Sequence, residues 1–174
     1  GVSRIQLRTP ASPARVALAE QAIQTHRGRV QWLLNRDIDL AQRLGVGVHL
    51  GSEQLLQLDT RPLPADQLVA ASCHDLEQLQ AAQRLGCDFA VLGPVQPSAS
   101  HPGGTPLGWD AFEALREQVS LPLYALGGLH PDDIAAVEAA LQAAMAQAGP
   151  GGRVLVFGSF HTAAAALGHF GANG

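Results

Sequence analysis

Lysine is absent from this 174-residue chain, so all 11 of its basic residues are arginine. Against 15 acidic residues they leave a net charge of −4. No basic stripe exists to track a phosphate backbone, which excludes nucleic acid as the expected partner and requires that any anion be gripped locally. Cysteine is nearly absent too. The pair Cys73 and Cys87 fits neither a metal-ligand spacing nor a disulfide framework, and both are expected to be small buried hydrophobes. No apolar run approaches the length of a membrane span, and no signal-peptide pattern opens the chain. A soluble cytoplasmic protein is therefore expected. An initiating methionine is also missing. Gly1 leads directly into a strand-like run, from which a lost upstream segment is expected.

What is plentiful is apolar residue: 47% of the chain is hydrophobic, enough for one real core, and no linker or charge run divides residues 1–174. The chain is read as a single domain built around residues 89–128. There, apolar runs at 89–95 and 122–126 each end in a Gly- or Pro-bearing loop and are joined by a helical stretch at 109–119. This strand–helix–strand unit has strands that are apolar throughout, as expected where helices cover both faces of a parallel sheet. Further strands are predicted at 2–8, 30–35, 47–50, 68–73 and 153–158. Helices are predicted at 11–26, 38–44, 52–58, 76–85 and 131–148, with a last one over 162–167.

Strict alternation fits either an open doubly wound sheet or a (β/α)8 TIM-type barrel. Polar residues follow nearly every strand: Arg8, Asn35, Ser72 with His74, Ser98 with Ser100, Gly127–Gly128 and Gly158–Ser159. Ligand loops concentrate at one switch point in a doubly wound sheet, whereas a ring of them suggests one barrel mouth. The expected fold class is thus α/β, a (β/α)8 TIM-type barrel lacking its first strand and carrying an atypical last βα unit.

At this point the residues resemble a known family. IQLR at 5–8, NRDIDLA at 35–41, GVHLG at 47–51, SCH at 72–74, LGPVQPSASHPG with PLG over 92–108, and YALGGL at 124–129 resemble the thiamin phosphate synthase and thiazole tautomerase barrels. They cover residues 1–134 in family order. Within the family the chain looks like the synthase-like domain fused behind Nudix hydrolases, so an upstream Nudix hydrolase domain is an implied partner. Residues 148–167 instead resemble the end of folylpolyglutamate synthases.

The resemblance implies a site for a small phosphorylated heterocycle, a thiazole phosphate or thiamin phosphate, and in true synthases an aminopyrimidine pyrophosphate with Mg2+. Gln6, Arg8, Asn35, Gly51, Ser72, His74, Gly127 and Gly128 match the family pattern, and Ser98 and Ser100 stand where it has threonines. The departures are Pro10 and His101 in place of lysines, and Arg36 and Gln54 in place of the two metal-ligand aspartates. Asp37 carries an acid one residue late, and a one-residue shift at a strand end turns a side chain to the other face.

On this basis Ser72, His74 and Ser100 are the candidate catalytic residues. Gln6, Arg8, Asn35, Ser98, Gly127, Gly128, Gly158 and Ser159 are the candidate substrate- or phosphate-binding residues. No metal ligand is assigned, and Mg2+ lacks both expected aspartates. The glycine pairs could bare backbone N–H groups to a phosphate, or serve only as turn glycines. Two readings stay open: a synthase-like transferase that is catalytically weakened, and a non-catalytic domain that binds a phosphorylated metabolite.

Overall fold

The computed structural model describes residues 4–8, 13–26, 28–97 and 105–129. Ser98, Ser100, His101, Gly158 and Ser159 lie outside the described residues, as do the predicted elements at 131–148, 153–158 and 162–167.

Among the described residues six strands and five helices alternate: β1 (Arg4–Leu7), α1 (Pro13–Thr25), β2 (Gln31–Asn35), α2 (Ile38–Leu44), β3 (Gly47–Leu50), α3 (Ser52–Leu56), β4 (Val69–Cys73), α4 (Leu76–Arg84), β5 (Phe89–Leu92), α5 (Trp109–Arg116) and β6 (Leu123–Ala125). The strands run β1-β2-β3-β4-β5-β6 in the sheet, and the β1–β2, β2–β3 and β3–β4 pairs are parallel. A doubly wound sheet reverses its strand order at a switch point; chain order throughout is that of a barrel wall. The expected strand at 153–158, assigned to closing an eight-fold barrel, lies outside the described residues.

Local chemistry sets the element ends. Asp37 caps α2, its Oδ1 accepting from the Leu40 N–H at 3.1 Å, and Gly45, left-handed at φ 67°, ends it. Asp75 caps α4 in the same way through the Gln78 N–H at 2.9 Å. β3 and β5 are buried at every position, as a parallel strand covered on both faces must be. The ladder of β5 stops at Leu92 rather than at residue 95, because Pro94 has no N–H to give it.

Residues cluster into two compact units, 1–91 with 115–123, and 92–114 with 124–174. In the first unit the core includes Trp32, Leu33, Leu34, Val48, Leu50, Val69 and Leu79. The guanidinium of Arg61, in the proline-rich connection before β4, donates to the Gly86 and Gln67 carbonyls and pairs with Asp88 at 2.8 Å. Asp88 Oδ2 also accepts from the Val69 N–H at 2.7 Å. This network ties the starts of β4 and β5 together. In the second unit, the 93–96 loop pairs with the chain after β6: Val95 N–H donates to the Leu126 carbonyl at 2.9 Å and Gln96 N–H to that of Gly127 at 3.1 Å.

Candidate functional site

Register alone brings four polar residues of the first unit onto one face. Gln6 is paired with Leu33, two residues before Asn35, and Asn35 is paired with His49. His49 is paired with Ala70, two residues before Ser72. Partners in register share a face, as do residues two apart on one strand, so Gln6, Asn35, His49 and Ser72 form one row across β1 to β4. Two hydrogen bonds join them in pairs: Gln6 Nε2 donates to Asn35 Oδ1 at 3.0 Å, and His49 Nε2 and Ser72 Oγ share one of 2.8 Å.

His49 is the member of this row that the sequence reading did not single out as a site residue. It is the one buried polar side chain in the described core, 7% exposed. Burial pushes its pKa down from 6.5 to about 4, and the Arg8 and Arg36 guanidiniums push the same way. At neutral pH the ring is neutral: a group that orients Ser72 and whatever lies near it, and a poor proton acceptor. His74, paired with Ser72 in the sequence reading, lies one residue beyond the end of β4 and is exposed; its backbone N–H donates to Gln78 Oε1 at 2.9 Å.

Arg36 follows β2 in a left-handed conformation, φ 62°, the one described residue other than glycine with positive φ. Two hydrogen bonds hold it there: its N–H donates to the His49 carbonyl at 2.9 Å, and its carbonyl accepts from Gln54 Nε2 at 3.1 Å. Its guanidinium lies against the bare backbone of Gly51, where an added Cβ would sit 2.5 Å from Nε and 2.7 Å from Nη2. Among the described residues, neither Arg36 nor Arg8 has a carboxylate partner. The two positions where aspartates were expected are thus joined to each other, one as a cation and one as the amide that holds it.

This donor set does not fit Mg2+. The ion takes carboxylates and waters, whereas the strand ends here present two guanidiniums, two amides, a hydroxyl and a neutral imidazole. Asp37 is spent on the α2 cap, and among the described residues no three His, Cys, Asp or Glu side chains cluster.

In the second unit Gly127 and Gly128 have φ of 95° and 66°, open to glycine and costly to other residues. They also meet neighbouring backbone closely. A Cβ on Gly127 would lie 2.7 Å from Pro94 Cβ, and one on Gly128 would strike the carbonyls of Gln96 and Pro97. The glycine pair is therefore required by the backbone itself, whatever else it does.

Comparison with known proteins fits this geometry. A thiamine-phosphate synthase of Thioalkalivibrio sulfidiphilus is 36% identical over 112 residues, 63% of this chain and 53% of that protein. One of Chloroflexus aurantiacus is 30% identical over 143 residues, 79% of this chain and 66% of its own length. The chain thus spans about half to two thirds of these curated relatives. The thiamine phosphate pyrophosphorylase structure from Pyrococcus furiosus superposes with a TM-score of 0.61 at 24% identity, covering 76% of this chain and 66% of that one, a likeness of fold. No helix among the described residues is long and apolar enough to cross a membrane. The family described as thiamine monophosphate synthase, TMP-TENI, matches residues 1–148, and the chain belongs to it.

Proposed function

We infer that this domain binds a phosphorylated thiazole or thiamin phosphate and turns over little as a synthase. The observation that carries this reading is the row Gln6–Asn35 and His49–Ser72 lying at the ends of adjacent strands, with Arg8 and Arg36 supplying positive charge that no carboxylate among the described residues pairs. The amide and hydroxyl groups suit the polar edge of a small heterocycle, and a guanidinium suits a phosphate. Releasing pyrophosphate from a substrate calls for stabilisation of the leaving group, which the synthases similar to this chain are expected to draw from Mg2+. Arg36 and Gln54 offer that ion no carboxylate.

The role assigned to Ser72 is to hydrogen-bond the ligand from its place on His49. His74 and Ser100 complete the catalytic assignment, and Ser98, Gly127, Gly128, Gly158 and Ser159 the phosphate-binding one, as proposals from the sequence. So do a cytoplasmic setting, a single domain whose 153–158 strand closes the barrel, and an upstream Nudix hydrolase domain. Calorimetric titration with thiamin phosphate and with thiazole phosphate tests the reading: saturable binding in EDTA, unimproved by Mg2+, supports it, and no heat from either compound refutes it.

A further inference from the structure

We propose that Arg36 is a resident cation of this site: with Arg8 it grips a phosphate-type oxyanion directly, and binding of that anion needs no divalent metal. The proposal rests on the reading above that the strand ends take a phosphorylated ligand. Three observations lead to it. First, Arg36 sits in a backbone conformation that arginine rarely adopts, and it is kept there by Gln54 Nε2 on its carbonyl and by its own N–H on the His49 carbonyl. Strain of this kind persists where surrounding structure enforces it, and it clusters at ligand clamps. Second, the conformation sends the guanidinium across Gly51, the one residue type that leaves room for it there. Third, among the described residues no carboxylate neutralises Arg36 or Arg8, although the other two arginines with described acidic neighbours, Arg43 and Arg61, are paired with Glu20 and Asp88. Both guanidiniums act on the one buried ring of His49, and two such charges with no carboxylate partner among the described residues suit an anion with several negative oxygens.

A guanidinium differs from Mg2+ in what it asks of the anion. It donates two parallel N–H bonds to two oxygens, keeps its charge at any working pH and neither exchanges nor dissociates. A metal added to such a site competes with it for the anion instead of bridging the anion to the protein.

Titration of the whole chain with inorganic pyrophosphate in EDTA tests this. Pyrophosphate should bind, Mg2+ should leave the affinity unchanged or weaken it, and inorganic phosphate should bind less tightly. Arg36→Gly removes the guanidinium while leaving a residue at ease at positive φ, so the fold is kept and affinity should fall about tenfold to a hundredfold. Gly51→Ala displaces the guanidinium without removing it, at a position of ordinary φ (−77°), and should lower affinity in the same direction. The His49 ring gives an independent readout by NMR: its titration should move upward when pyrophosphate offsets the arginine charges. Pyrophosphate binding that appears only with Mg2+, or that both variants leave intact, overturns the proposal. Thiamin phosphate bound equally by the parent and by Arg36→Gly overturns the role of Arg36 while the phosphorylated-ligand reading stands. If pyrophosphate binds as described and thiamin phosphate does not, Arg36 keeps its role and that reading falls.

Discussion

Gln54 holds Arg36: a single bond of 3.1 Å from the Gln54 amide to the Arg36 carbonyl joins two residues 18 apart in the chain, at the two positions where the sequence resemblance led us to expect aspartates. The Gln54 Oε1 is buried without a partner, so the side chain stabilises chiefly through its donor. Gln54→Ala should cost about 1 kcal/mol, measured by urea unfolding, and weaken pyrophosphate binding through Arg36. Arg36→Gly should leave stability unchanged or raise it by about 1 kcal/mol, because it relieves the left-handed strain. A loss of several kcal/mol in Arg36→Gly would mean that the guanidinium is structural.

Stability should depend on pH through His49. Its folded pKa of about 4 lies below the unfolded 6.5, so between those values the unfolded chain binds the proton and the folded one does not. Its contribution is whole above pH 6.5, is lost as pH falls toward 4, and amounts to about 3 kcal/mol on the usual conversion. His49→Gln, which keeps a hydrogen-bonding group near Ser72, should flatten the unfolding free energy across that window. An unaltered slope would show that the ring titrates normally.

Gly128→Ala separates the two roles open to the glycine pair. At φ 66°, with a Cβ directed at the Gln96 and Pro97 carbonyls, the variant should lose about 1–3 kcal/mol with or without ligand. A variant with unchanged melting and weakened thiamin phosphate binding would make the glycine a ligand residue alone.

Cys73 and Cys87 should resist thiol reagents at neutral pH. Burial raises their pKa values to about 12 and about 11; Cys87 and Asp75 add to it at Cys73, while at Cys87 the Arg61 guanidinium opposes it and Asp88 adds to it, which leaves almost no thiolate. Labelling should track unfolding in urea; fast labelling of the native chain would contradict the packing of β4 and of the turn before β5.

Much of the wall was legible because its signals are local. Gly45 and Gly86 stop α2 and the stretch after α4, Asp37 and Asp75 cap, and the apolar runs GVHL and FAVL are buried throughout. The displaced acid at Asp37 caps α2 through the Leu40 N–H. His49 was hidden because its burial and its Ser72 partner, 23 residues on, are products of strand register, which no local pattern displays. Arg36 reads in sequence as a lost aspartate and, with Arg8, as remaining positive charge for a leaving group. Its left-handed backbone depends on Gln54 and His49, and both contacts exist only once β2 and β3 have paired.

The most direct measurement is a rate: thiazole phosphate and aminopyrimidine pyrophosphate, given to the chain with Mg2+, assayed for thiamin phosphate. The account predicts no Mg2+-dependent turnover approaching the enzymatic scale, and the appearance of Mg2+ affinity in the double variant Arg36→Asp, Gln54→Asp. Turnover by the parent chain on the order of 1 s⁻¹ that vanishes in EDTA would contradict it.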